Sequence, residues 1–385
     1  MSRLKAACHC GANTFSIPTN GPLDLKHREI HICLCNVCRH QTGTLGGTWN
    51  VPHGAPFDPD SPPETLTKYQ SSSVACRYFC NICYCKLFFR YEIPEYSSGP
   101  NRGFFIASGC VQLPAGDDFD IDSIIFVKDN IDGGCANWLA VEEMTASFVD
   151  PLTAEDIHAL EATAMNQQAD TGILEGKCHC SSVNFRISRA TGKDEELPTL
   201  GSNTGLVVPH WMSKEEPLID DKNPWWVREV QKPGKSNRFL GGMCACKSCR
   251  TIAGSELQGW VSIPTAYIEV VLPNGETVPW PTIEQLENDD KYKQIIETYR
   301  STPGDVTRGF CKKCGANIFW DGLARGNLVD ISAGLLTSRG VREEGWIEWW
   351  TEWVGCIEDA TGRSDIPAQL EMGLKKWKQR IGGRV

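Results

Sequence analysis

Apolar and polar residues alternate with a period of two in short stretches along most of the chain, the pattern of strands that bury one face. In the first half the stretches fall at 13–17, 86–91, 104–108 and 124–127; in the second they fall at 182–187, 260–264, 267–272, 317–320 and 328–333, with glycine and proline between them. Helical periodicity is confined to two places. Residues 150–166 predict a linker helix, with Thr153 and Asp156 approximating a capping box and Ile157 and Leu160 on one face. The C-terminal stretch from Ser364 or Asp365 places Leu370, Leu374, Trp377 and Ile381 on one face and stops at Gly382. Its lysines admit a membrane or partner reading, but a helix docked on the protein with a solvated basic face is the expectation. The chain therefore reads as mainly β, with an architecture that repeats.

The cysteines repeat with it. A Cys-x-Cys, then a Cys-x-Cys-x-x-Cys, then a Cys-x-x-Cys occur once in each half: Cys8, Cys10, Cys33, Cys35, Cys38, Cys80, Cys83, and Cys178, Cys180, Cys244, Cys246, Cys249, Cys311, Cys314. Thiolates two or three residues apart can wrap one small ion, and sulfur-rich tetrahedral sites select zinc or iron–sulfur centres. Disulfides compete with this reading. The odd total of 19 cysteines, the absence of an apolar leader in MSRLKAACHC and the tight spacing weigh against them.

A closed structural zinc takes four protein ligands, and an open catalytic one takes three. Seven cysteines per half divide as four plus three. The outer pairs give Cys8, Cys10, Cys80 and Cys83, and Cys178, Cys180, Cys311 and Cys314, as closed sites; the triplets Cys33/Cys35/Cys38 and Cys244/Cys246/Cys249 would keep an open position, where catalysis is expected. The alternative is that a further ligand closes each triplet. His31, His40, Cys76 and Cys85 are available in the first half, and His210 from a distance in the second.

These residues resemble the glutathione-dependent formaldehyde-activating enzyme and centromere protein V family. CHCGANTFSI at 8–17 and CHCSSVNFRI at 178–187 open the halves; CLCNVCRHQTG at 33–43 and CACKSCRTIAG at 244–254 carry the triplets; RYFCNIC at 77–83 and RGFCKKC at 308–314 carry the late pairs, with Tyr69 or Tyr299 upstream. The resemblance covers most of 4–148 and 174–360, leaving a linker at 149–173 and a C-terminal helix at 361–385. It implies two tandem zinc domains of curved antiparallel sheets, a fold shared with zinc-binding Rab-exchange chaperones and B-type methionine sulfoxide reductases. It also implies a carbon–sulfur lyase class of reaction with glutathione or another thiol as co-substrate and up to four zinc ions per chain.

The family places glycine after the late Cys-x-x-Cys. Gly315 fits and Tyr84 does not, which predicts a strained or reshaped first knuckle, with Cys85 as an alternative ligand. The second half is expanded, with insertions at 188–243 and 273–305. Trp211, Trp225 and Trp226 in the former read either as a lid over an electrophile larger than formaldehyde or, preferably, as packing anchors. Arg39 and Arg250 follow the last triplet cysteines and are candidates for a glutathione carboxylate or for offsetting the thiolates. Thr44 and Ser255 are candidates to donate to a substrate oxygen, or to cap loops. Cys76, Cys85, Cys110, Cys135 and Cys356 read as small core residues without a redox pair.

Composition narrows the picture further. With 385 residues and 41% apolar content the chain can build two cores. A formal charge of −10 argues against nucleic acid, and abundant reduced thiols fit a cytoplasmic, or nuclear, compartment. Three thiolates overbalance the charge of zinc, so bound water would be acidified weakly, whereas an incoming thiol would be held as thiolate. The expected function is a zinc-dependent thiol-adduct enzyme acting on a carbonyl-like small molecule. A non-catalytic zinc scaffold is the alternative, a chromatin binder is a weaker one, and a homodimer is possible.

Overall fold

The computed structural model describes residues 3–18, 29–113, 119–139, 172–190, 226–228, 237–322, 325–337, 341–361 and 365–382. Each half pairs a small sheet with a large one. In the first half, Thr14–Pro18, Arg3–Ala7 and Val111–Gln112 form a three-stranded sheet. The seven-stranded sheet beside it runs Asp120–Ile125, Glu29–Cys33, Gly47–Asn50, Phe104–Ala107, Lys86–Tyr91, Ala75–Cys80, Leu66–Gln70. The second half repeats this with a four-stranded and an eight-stranded sheet, so the mainly β expectation holds.

The alternation read from the sequence does the work in the outer strands: Leu4, Ala6, Phe15 and Ile17 point inward, as do Leu174, Phe185 and Ile187, while their neighbours face solvent. The central strands Ala75–Cys80 and Val306–Cys311 are buried on both faces. Phe79 and Phe310, on these two strands, share one apolar cluster with Tyr84 and Ile252, so the second buried face belongs to the contact between the halves.

One pairing in each large sheet is parallel. Asp120–Ile125 lies parallel to Glu29–Cys33, and Ile347–Trp349 parallel to Phe239–Gly241. The predicted strand at 124–127 stops at Ile125, because Phe126 takes a left-handed backbone (φ 58°). Several further elements escaped the sequence pattern, among them the short helices Asn36–Thr42 and Lys247–Ala253 that carry the triplets. The predicted linker helix falls on residues outside those described, as do Trp211 and Trp225. The C-terminal helix Ile366–Gly382 docks as expected. Leu370, Leu374 and Trp377 are buried, Trp377 meets Trp138 edge-on at 5.7 Å, and a Cβ on Gly373 would lie 1.6 Å from the Trp138 carbonyl oxygen.

The halves interlock by reciprocal contacts, as two subunits do across a two-fold interface. His9 bonds Tyr299 Oη at 3.0 Å and Ser248 Oγ at 2.7 Å, while His179 bonds Tyr69 Oη at 2.6 Å. Gly109 packs on the Arg250 carbonyl and Gly334 on that of Thr44, where an added Cβ would come within 2.1 Å in either case. Asp132 accepts from the amides of Val341 and Arg342 at 2.8 Å each.

Tyr84 resolves in this interface. Its backbone is left-handed (φ 55°), the same region as Gly315 (φ 74°), so the knuckle keeps its shape at the expense of backbone strain. The ring it carries stacks on Phe79 and Phe310 with centroids 5.4 and 5.2 Å away. Gly315, by contrast, must be small, because a Cβ there would stand 2.8 Å from the Phe79 ring. At these equivalent positions one half supplies the ring and the other makes room.

Lys86 shows the same asymmetry, since its counterpart is Asn317. Its ammonium is fully buried 4.8 Å from the centre of the Phe310 ring, and burial, only partly offset by nearby thiols led by Cys85, pulls its pKa down to about 7.

Two predictions follow from this packing. Gly109→Ala and Gly334→Ala should each destabilise the chain by about 1–3 kcal/mol in chemical denaturation, because backbone rather than a flexible side chain must yield. Lys86→Met should stabilise it by about 1–4 kcal/mol at pH 6. Unfolded lysine keeps its proton to about pH 10.4 and the folded one releases it near 7, so the penalty is full below pH 7 and shrinks as pH rises. The advantage of the variant should accordingly narrow between pH 7 and 9.

Candidate metal centres

The outer cysteines meet as the spacing predicts. Cys8, Cys10, Cys80 and Cys83 converge with their sulfurs within 4.8 Å of one another, and Cys178, Cys180, Cys311 and Cys314 do the same. Sγ separations are 3.5 Å for Cys8–Cys10 and 3.7 Å for Cys10–Cys80, and 3.5 Å for both Cys178–Cys180 and Cys180–Cys311. A tetrahedral zinc with bonds of about 2.3 Å sets its sulfurs about 3.8 Å apart, so the sets fit that ion. Backbone amides already point at the sulfurs: Asn13 to Cys8 at 3.2 Å, Ile82 to Cys80 at 3.4 Å and Val183 to Cys178 at 3.3 Å. All 19 cysteines are free thiols, which removes the disulfide reading.

The triplets are built by a strand running into a helix. Cys33 ends Glu29–Cys33, Cys35 caps Asn36–Thr42 by accepting from the Cys38 amide at 3.3 Å, and Cys38 sits in the first turn. Cys244, Cys246 and Cys249 repeat the arrangement, with the same 3.3 Å cap. Each helix ends on a left-handed glycine, Gly43 or Gly254, which explains the glycine that follows both triplets. The three sulfurs of each triplet lie within 4.8 Å of one another, and among the described residues no histidine or further cysteine joins them within that distance.

None of the candidates for closing the first triplet lies within its set of sulfurs. His31 bonds Ser123 Oγ at 2.7 Å and lies 3.1 Å from Asp122. His40 is kept neutral by burial, with Arg39 beside it, and lies outside the three-sulfur set, although its Nε2 has no hydrogen-bond partner. Cys76 neighbours Tyr78 and Glu92. Cys85 touches Cys110, with sulfurs 3.2 Å apart, and donates to the Thr251 carbonyl at 2.8 Å, while Cys110 donates to Lys86 O at 2.9 Å. Both are buried as free thiols, as small core residues are. His210 lies outside the described residues.

The residues that serve the triplets are Arg77 and Arg308, which sequence reasoning passed over although they open the two late motifs. Each is fully enclosed, Arg77 donating to Cys38 Sγ at 3.3 Å and Arg308 to Cys249 Sγ at 3.3 Å, so a guanidinium stands behind one sulfur of each set. Hydrogen bonds from Cys33 and Cys35, and after them the Arg77 charge, hold Cys38 well below the usual thiol range; Cys244, Cys246 and Arg308 do the same for Cys249. Cys33 is pushed well up, first by Cys35 and then by Cys38 and burial. One thiolate and two thiols is the state three sulfurs adopt without a cation, and a divalent ion is what would let all three ionise.

Arg39 and Arg250 take other roles. Arg39 donates to the carbonyls of Gly334 at 2.9 Å and Leu336 at 2.6 Å, across the interface. Arg250 donates to Ala245 O and Asp359 O, both at 2.7 Å, and stands 3.8 Å from Glu256. Thr44 bonds Thr42 and the Gly46 carbonyl, and Ser255 reaches the same carbonyl at 3.3 Å, so both hold the interface loops. Trp226 is buried beside Phe239 and Tyr267 and packs the insertion onto the sheet.

The surroundings of the two triplets differ. Burial, and next the charges of Cys33, Cys38 and Cys35, push the Tyr91 phenol up to about 12, which places it beside the first triplet. Phe89 lies under Arg77 at 5.3 Å and stacks on Phe105 at 4.4 Å, while Tyr91 stacks on Tyr96 at 4.7 Å. The matching strands of the second half carry Trp320, Gly322 and Asp330, and there Asp330 pairs with Arg325 at 2.7 Å.

Residues 3–129 match the family model described as glutathione-dependent formaldehyde-activating enzyme. A crystal structure of a Rhodobacter sphaeroides protein is similar over 46% of this chain and 99% of its own, at 12% identity and a TM-score of 0.24. A search of curated proteins found no match.

Arg77→Met should loosen metal at the first triplet about 10–100-fold in chelator competition, leaving the Cys8 set unchanged; equal retention in variant and wild type would show that the arginine is packing alone.

Proposed function

We propose, from the match of residues 3–129 to the glutathione-dependent formaldehyde-activating enzyme family model, that the protein is a zinc-dependent thiol-adduct enzyme of the carbon–sulfur lyase class. The observation that carries this reading is the pair of three-sulfur sets, each backed by a buried arginine and neither closed by a fourth ligand within 4.8 Å among the described residues. Zinc held by three thiolates would supply an open position where an incoming thiol, glutathione first among candidates, binds as thiolate.

Arg77 and Arg308 keep one ligand sulfur of each set ionised, and the cap amides of Cys38 and Cys249 hold the adjacent sulfur in place. In the addition direction the sulfur of the thiol bonds to the carbonyl carbon, the carbonyl π pair moves to oxygen, and the thiol's proton ends on that oxygen. The lyase direction reverses each of these steps, and no electrons are gained or lost. Phe89, Tyr91, Tyr96 and Phe105 offer apolar area near the first triplet, which favours an electrophile larger than formaldehyde. The lid role for Trp226 is not part of the proposal, since that ring is packed inside.

The partners on this reading are small molecules, with neither nucleic acid nor membrane, in keeping with the charge of −10. Among the described residues no helix is long and apolar enough to cross a membrane. A reducing compartment such as the cytoplasm belongs to the same proposal, because the sites need free thiols.

Calorimetry with glutathione and with its S-methyl derivative tests the proposal on zinc-loaded protein. Glutathione should bind, the blocked thiol should bind at least about tenfold more weakly, and the chain should accelerate adduct exchange with aromatic or branched aldehydes in NMR. Equal binding of both thiols, or exchange no faster than in buffer, would leave the zinc scaffold as the better account.

A further inference from the structure

We propose that Cys356 is a fourth thiolate ligand of the second triplet, so that Cys244, Cys246, Cys249 and Cys356 form a closed site and the open position survives in the first half. This deepens the functional reading above and rests on its premise that the triplets hold metal.

The inference comes from laying the two halves over each other through their hydrogen bonds. After the triplet's first cysteine, the Leu34 amide donates to Ile125 O at 2.9 Å; in the second half the Ala245 amide donates to Gly355 O at 2.8 Å. Cys33 is paired with Ile125 in parallel register, and Cys244 with Gly355. The next residue is therefore Phe126 in one half and Cys356 in the other. Both are left-handed, with φ of 58° and 53°, and both cap a 3₁₀ turn, Val127–Asp129 or Ile357–Ala360. The turns end alike as well: Asp129 accepts from the Asn36 amide at 3.4 Å and Asp359 from the Lys247 amide at 2.9 Å. A left-handed backbone at a residue with a side chain costs about 1–2 kcal/mol, yet both halves retain it at the same place beside a triplet.

What stands at that place differs in kind. Phe126 is 46% exposed and cannot bind a metal. Cys356 is half-buried and directly follows Gly355, the residue that bridges to Cys244 in parallel register. It stays outside the 4.8 Å set that the other three sulfurs form, so a side-chain adjustment toward the ion would complete the tetrahedron. Read alone, Cys356 was a leftover small residue; in place, it is the thiol beside a three-thiol cluster that lacks a fourth.

The consequence is a division of labour. Four thiolates leave no position for an incoming thiol, so the second centre becomes structural, and the first, with Phe126 and the aromatic group around Tyr91 near it, takes the co-substrate.

The test uses zinc-loaded full-length protein pulsed with N-ethylmaleimide, with labelling of each cysteine read by peptide mass spectrometry, and glutathione stoichiometry by calorimetry. Cys356 should label about tenfold more slowly than in protein stripped by chelator, and Cys246→Ser should expose it. Wild type should bind one glutathione per chain and Cys356→Ala two. Cys356 labelling equally fast with and without zinc, while Cys244, Cys246 and Cys249 stay protected, would overturn the inference alone. Free labelling of the triplet cysteines in loaded protein would overturn the metal reading beneath it. For Cys356→Ala, Co(II) substitution supplies a readout independent of thiol binding: sulfur-to-cobalt charge-transfer absorption should fall, and an unchanged spectrum would again remove Cys356 from the site.

Discussion

Sulfurs crowded around one point cannot all be charged unless a cation sits among them, and the rest of this structure depends on how that problem is met. Within each half, two cysteines near its start and two near the end of the sheet form one set and the triplet another, and in the first triplet Cys38 is held low while its neighbours push Cys33 up. The fold answers with knuckle amides, helix caps and one buried guanidinium per triplet. These groups favour charge on sulfur before any ion arrives. A metal that would tie the sheets together and one that would serve the proposed chemistry are therefore two uses of one electrostatic arrangement.

The likeness of the two halves adds a second constraint. The halves meet through matched residues, so each position at the interface is used twice in different company. Where identical residues serve both sides they are kept, as with the His9–Tyr299 and His179–Tyr69 pairs. Where they would collide they diverge: Tyr84 fills the space that Gly315 vacates, and Lys86 lies over Phe310 while Asn317 bonds Gln258. The same divergence reaches the triplets, where Phe126 and Cys356 occupy one backbone position with opposite chemistry.

The metal sets were legible because cysteine spacing is local information and was printed twice. Strand stretches such as 86–91 were legible for a similar reason, since alternation reports a one-sided environment. The arginines behind the triplets were not, although Arg77 and Arg308 stood in the quoted motifs. A buried arginine and an exposed one look alike in sequence, and Arg39 and Arg250, which directly follow the triplets, have as partners carbonyls brought in by the fold. Cys356 was hidden because the parallel strand pairing that carries it to Cys244 spans more than a hundred residues and leaves no periodic trace. Tyr84 was seen as a departure, but its cause lay in Phe310 of the other half.

The most direct test of the central claim is an anomalous difference map at the zinc edge from crystals grown under reducing conditions. Four peaks, one within each set of sulfurs, would agree with the account. Peaks confined to the Cys8 and Cys178 sets, with both triplets metal-free under saturating zinc, would contradict it.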